Sequence, residues 1–416
     1  MSRSVQASLV ARLLIGLSLG YFLVMLDTTI VTVALPALSP SLSAQQWISN
    51  GYTLTFAAFL LTAGACSDRF GARRVFFMGL TSFAVLSLLS AFAFSPAVLI
   101  ALRALLGTAG ALLVPSSLSL IAVAYPAAGA RAKAMGVWAA VSGTGLVAGP
   151  LLGGLLTQTF GWRAIFLVNV PVALVALALS RSAPATPPKP GRVDPIGQAS
   201  AVIALSTLTY ALVEHALWVL LLSAAAATVF VVSQRRPDAM LPRRLLSRGL
   251  LAGAIANFGL SGVLFVLSLY FQEFRGYSPS STGLAFLPLT IPTAFNPIFT
   301  GRLVARIGPR IPAVSGFALM SSGTLLQAFA PGLSVMALAL LGFGVSLAIP
   351  SLLTSVVGSA PPELAGIAGG ALNASRQTGA ALGVAILGAL PAVTVALLAA
   401  AILLAVGAVI SVMITN

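Results

Sequence analysis

Acidic side chains are almost missing from this sequence. Seven stand against 22 basic ones in 416 residues, of which 7% are charged and 59% hydrophobic. Water-soluble domains carry about 25% charged residues, so a soluble fold is excluded, and the long uncharged runs read as membrane spans. Cysteine occurs once, at Cys66, which excludes an intramolecular disulfide and a thiolate metal cluster. The single histidine, His215, falls in a short connection, so no imidazole is available as a base at membrane depth. The stretch GLSLG at 16–20 fits the GxSxG nucleophile pattern. That pattern needs a strand-to-helix turn, and here it lies inside an apolar helix, where glycines serve close packing. Lysine is confined to Lys133 and Lys189. Neither follows a glycine-rich phosphate loop, so ATP does not drive this protein directly. No metal or cofactor is expected, and the chain is not read as an enzyme. The net charge of +15 invites a nucleic-acid reading, but the basic residues form no continuous face; they sit in short loops, and no nucleic-acid partner is expected.

What is present is a succession of apolar windows of about 19 residues. They fall near 11–37, 45–66, 73–94, 98–124, 133–158 and 162–180, then 195–213 and 216–233, then 250–274, 281–301, 311–328, 332–357, 364–388 and 391–413. The fold class predicted is an all-α polytopic membrane protein with fourteen spans. Its parts are a six-helix bundle at 1–180, a connecting region at 181–248 with two inserted spans, and a second six-helix bundle at 249–416. The first run is too long for a signal-peptide core and has no small-residue cleavage site after it, so it is expected as a retained span. With the N-terminus in the cytoplasm, eighteen of the 22 basic residues fall on that side; Arg163 and Arg275 fall outside, and Arg103 and Arg376 lie within spans. Both termini are therefore expected in the cytoplasm. The halves also repeat: GACSDRFGAR between spans 2 and 3 aligns with GRLVARIGPR between spans 10 and 11, with Asp68 matched by Ala305. Parallel six-span repeats mark secondary transporters.

Within YFLVMLDTTIVTVALPAL, Asp27 is the one acid in an apolar run from 13 to 38. A carboxylate at mid-bilayer costs roughly 2.5–3.5 kcal/mol on insertion scales. Either an arginine holds it permanently ionised for packing, or it is a protonatable site, since burial favours the neutral acid and a nearby guanidinium the carboxylate. In the loop after span 2, Gly64 and Gly71 permit a tight turn and close backbone approach, which would let Asp68 meet a neighbouring helix end or arginine; Arg69, Arg73 and Arg74 serve the same contact or only topology. In SGTGLVAGPLLGG, Gly145, Gly149 and Gly153 recur every four residues beside Gly154. Small residues at that spacing let helices approach, and Pro150 favours a bend. Arg376 and Gln377 in span 13 share no span with an acid; Arg376 either packs on carbonyls or meets a substrate or anion, with Asn373 on its face. Of the aromatics, Tyr52 and Trp138 are the cavity candidates, while Tyr21 and Trp47 read as interfacial anchors. Glu214 and Glu273, at span ends, read as ordinary solvated acids.

Taken in order, GACSDRFGARR, LDTTIVTVALPAL with QQWISNGYTLTFAA, RALLGTAGALLVPSSL, GTGLVAGPLLGGLL, GWRAIFLVNVP, LYFQEFRGYSPSSTGLAFLP and NASRQTGAALGVA resemble the major facilitator superfamily, and within it the fourteen-spanner drug:proton antiporters. The chain is shorter than is usual there, mainly after span 7 and at the C-terminus. The resemblance implies two rocking six-helix halves, with spans 1 and 4 packed together and Arg103 as the partner of Asp27 in proton coupling. It also implies a conformational latch at Gly64, Asp68, Arg69, Gly71, Arg73 and Arg74. The glycine run with Pro150 would be the antiporter helix motif, sealing the outer side. The expected function is proton-coupled export of small lipophilic or cationic compounds from the cell's inner membrane by a monomer. The scarcity of cavity acids favours neutral or monocationic substrates over dications. Nutrient symport is the principal rival; a membrane enzyme and a channel fit less well. The expected partners are a small-molecule substrate, protons and the lipid bilayer.

Overall fold

A computed structural model gives the fold. It describes residues 3–187, 194–236, 239, 241, 245–360 and 364–414. Four basic residues used in the orientation argument, Lys189, Arg192, Arg243 and Arg244, lie outside the described residues, as do Asp238 and Glu363.

The first half consists of α1 (Arg3–Leu38), α2 (Leu42–Phe70), α3 (Ala72–Ala91), α4 (Pro96–Ala124), α5 (Ala128–Phe160), α6 (Ala164–Leu167) and α7 (Asn169–Leu179). Two helices follow, α8 (Pro195–Val213) and α9 (Val219–Ser233). The second half holds α10 (Arg248–Leu269), α11 (Pro279–Ala285), α12 (Leu287–Phe295), α13 (Pro297–Ile307), α14 (Arg310–Phe329), α15 (Ser334–Gly358), α16 (Ala365–Gly388) and α17 (Val393–Val412). Among the described residues, nine helical segments are long and apolar enough to cross a membrane. Three helices outside that count, α2, α14 and α16, have the length but carry too many polar residues.

Local chemistry explains the punctuation. The helices α4, α8 and α11 each start on a Ser-Pro or Asp-Pro pair: Ser95, Asp194 and Ser278 accept a hydrogen bond from a backbone N–H of the first turn, and the following proline occupies the first helical position. The turn between α2 and α3 passes through Gly71 at φ +88°, and that between α13 and α14 through Gly308 at φ +77°. The sequence repeat aligns these two glycines, and both need the left-handed backbone. The window at 281–301, expected as one continuous span, is instead divided into α11, α12 and α13. Pro288, Pro292 and Pro297 fall within it, and each removes a helical N–H and crowds the preceding turn. The expected bend at Pro150 leaves α5 helical on both sides.

Packing follows the two halves. In the first, α1 lies against α5 and α7, α2 against α4, and α3 against α4 and α7; in the second, α10 lies against α16 and α17, and α14 against α15 and α17. Across the middle, α2 meets α16 and α5 meets α11 and α12, while α8 touches both α2 and α16. Every hydrogen bond between the halves among the described residues lies toward the end carrying the α1–α2 turn. Ser268 donates to the carbonyl of Thr32 (2.8 Å), Gln272 to Val33 (2.9 Å), and Gln46 to Val384 (3.1 Å) and Ala385 (3.2 Å); Ser280 donates to Gln158. The molecule is fastened at that end, and among the described residues no such bond lies at the Gly71 end.

Candidate functional site

Five helices of the first half converge on Asp27. It forms an ion pair with Arg103 of α4, the one salt bridge among the described residues, and the two side chains are 0% and 1% exposed. The guanidinium is further fixed by donating from Nε to the carbonyl of Ile48 (3.2 Å) and by lying 4.5 Å from the centre of the Tyr52 ring. Arg103 can reach across because α2 and α4 nearly touch. A side chain at Gly107 would run into the Tyr52 carbonyl and the Thr55 hydroxyl, and Thr55 donates to the carbonyl of Ala104 at 2.7 Å. The second carboxylate oxygen of Asp27 accepts from Nδ2 of Asn169 (3.1 Å), which also donates to Ser87 (3.0 Å). Asn169 and Ser87 are both 0% exposed. Asn169 opens α7 after the short break that follows α6, and Pro171 two residues on cannot supply the N–H that a continuous helix would need.

Sequence reasoning paired Asp27 with Arg103, and the structure brings them together. It missed Asn169 and Ser87, although a lone amide beside a proline in an apolar segment is a signal that could have been weighed. Tyr52, expected to line a cavity, is instead 1% exposed: its ring covers Arg103 and its hydroxyl donates to the Val24 carbonyl at 3.3 Å. It belongs to the ion-pair site.

A second polar group stands in the other half. Arg376 of α16 is half-buried, donating from Nε to Oδ1 of Asn257 on α10 (3.2 Å) and from Nη1 to Oδ1 of Asn373 one turn earlier (3.1 Å). Gly253 leaves room for its stem, since an added Cβ there would meet the Arg376 Cγ at 3.2 Å. Across from it is Tyr21 of α1, within electrostatic reach of the guanidinium. Tyr21, set aside as an interfacial anchor, is half-buried here and stacks on Trp138 with centroids 4.5 Å apart at 16°. Trp138 donates to Ser117 at 3.2 Å. Gln377 is buried, 7% exposed, and does not share the accessible face of Arg376.

The glycine run of α5 has two sides. Gly145, Gly149 and Gly153 face α1: an added Cβ at Gly145 would come within 2.7 Å of the Phe22 carbonyl, at Gly149 it would strike Thr29, and at Gly153 the Ile30 carbonyl. Gly154 faces the other half, where a side chain would collide with Pro279 at the start of α11, and the Pro150 carbonyl in turn abuts Gly283. The run therefore packs α5 within its own bundle and brings it to backbone distance of the second.

In the last turn of α2, Asp68 is exposed and makes no ion pair or hydrogen bond among the described residues. Arg73 is tied instead to the start of the connecting region: its backbone N–H donates to Thr186 (3.2 Å) and its guanidinium to the Arg181 carbonyl (3.3 Å). Gly71 is required there, because a Cβ would lie 2.6 Å from the Thr186 carbonyl. Arg69 and Arg74 are exposed, and Gly64 lies loosely against Pro115 of α4. The contact expected of Asp68 is not formed in this conformation. Glu214, read as an ordinary solvated acid, accepts from Ser43 (2.6 Å) and from the Trp47 indole (2.7 Å), fastening the α8–α9 hairpin to α2.

Comparison with known proteins agrees with this fold. The family model of the Major Facilitator Superfamily matches residues 17–384. The multidrug resistance protein Stp of Mycobacterium tuberculosis is 34% identical over 400 residues, covering 90% of this chain and 74% of that protein. The tetracenomycin C resistance and export protein of Streptomyces glaucescens is 35% identical over 407 residues, covering 91% and 75%. Among solved structures, a POT family transporter in complex with a thioalcohol-conjugated peptide superimposes with a TM-score of 0.76 at 12% identity, over 98% of this chain and 96% of that one; it carries the fold alone. The chain is thus a multi-pass membrane transporter of the drug-efflux kind, and it belongs to the major facilitator superfamily.

Proposed function

We propose that the chain is a proton-coupled antiporter that exports small lipophilic compounds from the cell across its inner membrane. It works as a monomer of fourteen spans in six, two and six, with both termini in the cytoplasm and halves bounded at 1–180 and 249–416. Support for the span count comes from the helical stretches, which coincide with the fourteen apolar windows once α6 and α7 are joined, and α11 to α13. The single observation that carries the coupling is the Asp27–Arg103 pair, fully enclosed and completed by Asn169. Such a pair is costly to break by removing one member, about 3–5 kcal/mol, because the other charge is then stranded. Delivering a proton to Asp27 neutralises it in place and frees Arg103 to shift its bonds toward carbonyls such as that of Ile48. The five helices that meet there would then relax together. The fastened α1–α2 end and the unbonded Gly71 end correspond to a state open toward the cytoplasm, and rocking about α5, α11 and α12 would reverse it.

The test is proteoliposomes containing a pH dye, screened with lipophilic compounds under an imposed gradient. Compound-dependent proton movement opposite to the compound is expected, and movement in the same direction would establish symport instead. Reporter fusions at Lys189, Arg236 and Asn416 should all give a cytoplasmic signal; an outer signal at Asn416 would break the fourteen-span arrangement.

A further inference from the structure

Counting acids in the sequence suggested a site suited to neutral or singly cationic compounds. The structure changes the electrostatics that a compound meets. Asp27 is sealed at 0% exposure and already neutralised by Arg103. Asp68 is in the last turn of α2 at the Gly71 end, Asp194 caps α8, and Glu214 and Glu273 are exposed at the opposite end, where Glu273 lines a pocket between the halves with Pro40, Leu42 and Gln45. No carboxylate among the described residues pairs with Arg376, which is half-buried and whose charge is met among them only by the amide oxygens of Asn257 and Asn373. These two oxygens orient Nε and Nη1, and Nη2 makes no hydrogen bond among the described residues. The half-buried Tyr21 ring, backed by Trp138, supplies an apolar wall within electrostatic reach of it.

We propose that Arg376 is a docking point for the anionic oxygen of the exported compound (a carboxylate, phenolate or enolate), whose apolar body lies against the Tyr21–Trp138 stack. This rests on the reading that a compound binds between the halves. A guanidinium positioned by two amides needs no rearrangement to accept such an oxygen, and charge-assisted bonds of this kind are about twice as strong as neutral ones. A cationic head would meet an uncompensated positive charge at low dielectric, which selects against it.

The test is equilibrium dialysis of the full chain in a neutral maltoside with three probes of one body: 2-naphthylacetate, its primary amide, and 2-naphthylmethyl-trimethylammonium. Wild type should bind the acetate most tightly, ahead of the ammonium by about tenfold or more, with the amide between. Arg376→Gln should bring the acetate to within about twofold of the amide, the worth of a single neutral bond remaining. Arg376→Lys, which keeps the charge but not the fork, should retain part of the acetate's lead. The wild-type ranking needs no variant and is decisive if Arg376→Gln fails to fold: ammonium binding as tight as acetate overturns the proposal, as does an acetate lead that persists in Arg376→Gln. Anionic lipid headgroups offer the same oxygens. Phosphatidylglycerol added at the probe's concentration should leave acetate bound, and its displacement would assign the site to lipid and overturn the substrate role. Binding is read without a gradient, so a lost ranking with intact proton exchange sinks only this assignment, whereas an intact ranking without proton exchange sinks only the antiport reading.

Discussion

Arg103 and Arg376 occupy the two halves of one repeated fold and are held in opposite ways. Arg103 is enclosed at 1% exposure by an acid, a carbonyl and an aromatic face. Arg376 is half-buried, and among the described residues only neutral amides hold it. A charge that is paired and dry can change state only by moving a proton or breaking its pair, whereas a charge that is oriented but unpaired is ready to receive something from outside. On the proposed reading the contrast separates two tasks: the first half would store the coupling charge and the second would present a contact to the cargo.

The sharpest way to break that division is to neutralise the acid. Asp27→Asn should abolish accumulation against a gradient while downhill exchange survives, because the side chain then stands permanently in its uncharged form; measured side by side, Arg376→Gln should leave the coupling in place and change which compounds are taken. Gradient-driven accumulation by Asp27→Asn at the wild-type rate would reduce the buried pair to packing. Arg103→Ala is expected to be less complete. It leaves the carboxylate without its counter-charge, so the acid survives but accumulation should be slowed and its pH dependence should differ from wild type. The double variant should behave as Asp27→Asn alone, because the arginine then has nothing to tune. A double variant that differs from Asp27→Asn would give Arg103 a second role.

Steric changes to α5 test whether the halves move as units. Gly154→Val places a branched side chain against Pro279 and should wedge the fastened end apart, costing most of the transport at unchanged expression. Gly149→Ala strikes Thr29 within the first bundle and should lower the melting temperature instead, by roughly the 1–3 kcal/mol of an overpacked contact. Equal effects on both quantities from both variants would mean that α5 does not divide its faces in this way.

How much of this could be read from residues varied with the range of the signal. The windows of apolar residues located the helices well, because span length is dictated by the bilayer and shows at any single position of the window. The Asp27–Arg103 pair was legible because charge in an apolar run is costly and the family resemblance implies that spans 1 and 4 pack together. Asn169 was not, since an uncharged amide raises no alarm in a hydropathy window, and its role comes from three chain segments meeting. Tyr52 was misplaced for a related reason. Periodicity shows that a residue lies within a span but not which neighbour its face meets, and only the missing side chain at Gly107 brings α4 close enough to set Arg103 over the ring. The break of α11 to α13, by contrast, was written in three prolines and overlooked within a favourable hydropathy average.

A further comparison, between the two copies of the repeated loop, yields a smaller effect. Gly71 and Gly308 share a backbone conformation, but only the first copy has an acid, Asp68, and it is exposed here. If Asp68 gains a charged contact when the Gly71 end closes, Asp68→Asn should shift the balance of open and closed states by about five- to 150-fold while leaving compound binding intact. Distances between spin labels on α2 and α13 would read the populations. Weakened binding with unchanged populations would contradict a latch.

The smallest expected change comes from Asn169. Its Nδ2 donates to Asp27 and to Ser87, while its Oδ1 is buried without a partner among the described residues. The amide hydrogen meets a carboxylate oxygen of Asp27, and the amide oxygen is left to accept from a new donor if the side chain turns. Asn169→Ala removes the donor without touching the ion pair, so Arg103 still neutralises the acid and accumulation should persist. What should change is the pH dependence of accumulation, because a donor to the carboxylate is gone. The other charged or titratable groups packed on Asp27 are Arg103 and Tyr52, and Asn169→Ala alters neither. Asn169→Asp would set a second acid beside the first and should impair coupling more than the alanine does. A pH profile that overlays wild type in Asn169→Ala, with only the melting temperature lowered, would make Asn169 a packing residue and leave Arg103 alone in tuning the acid.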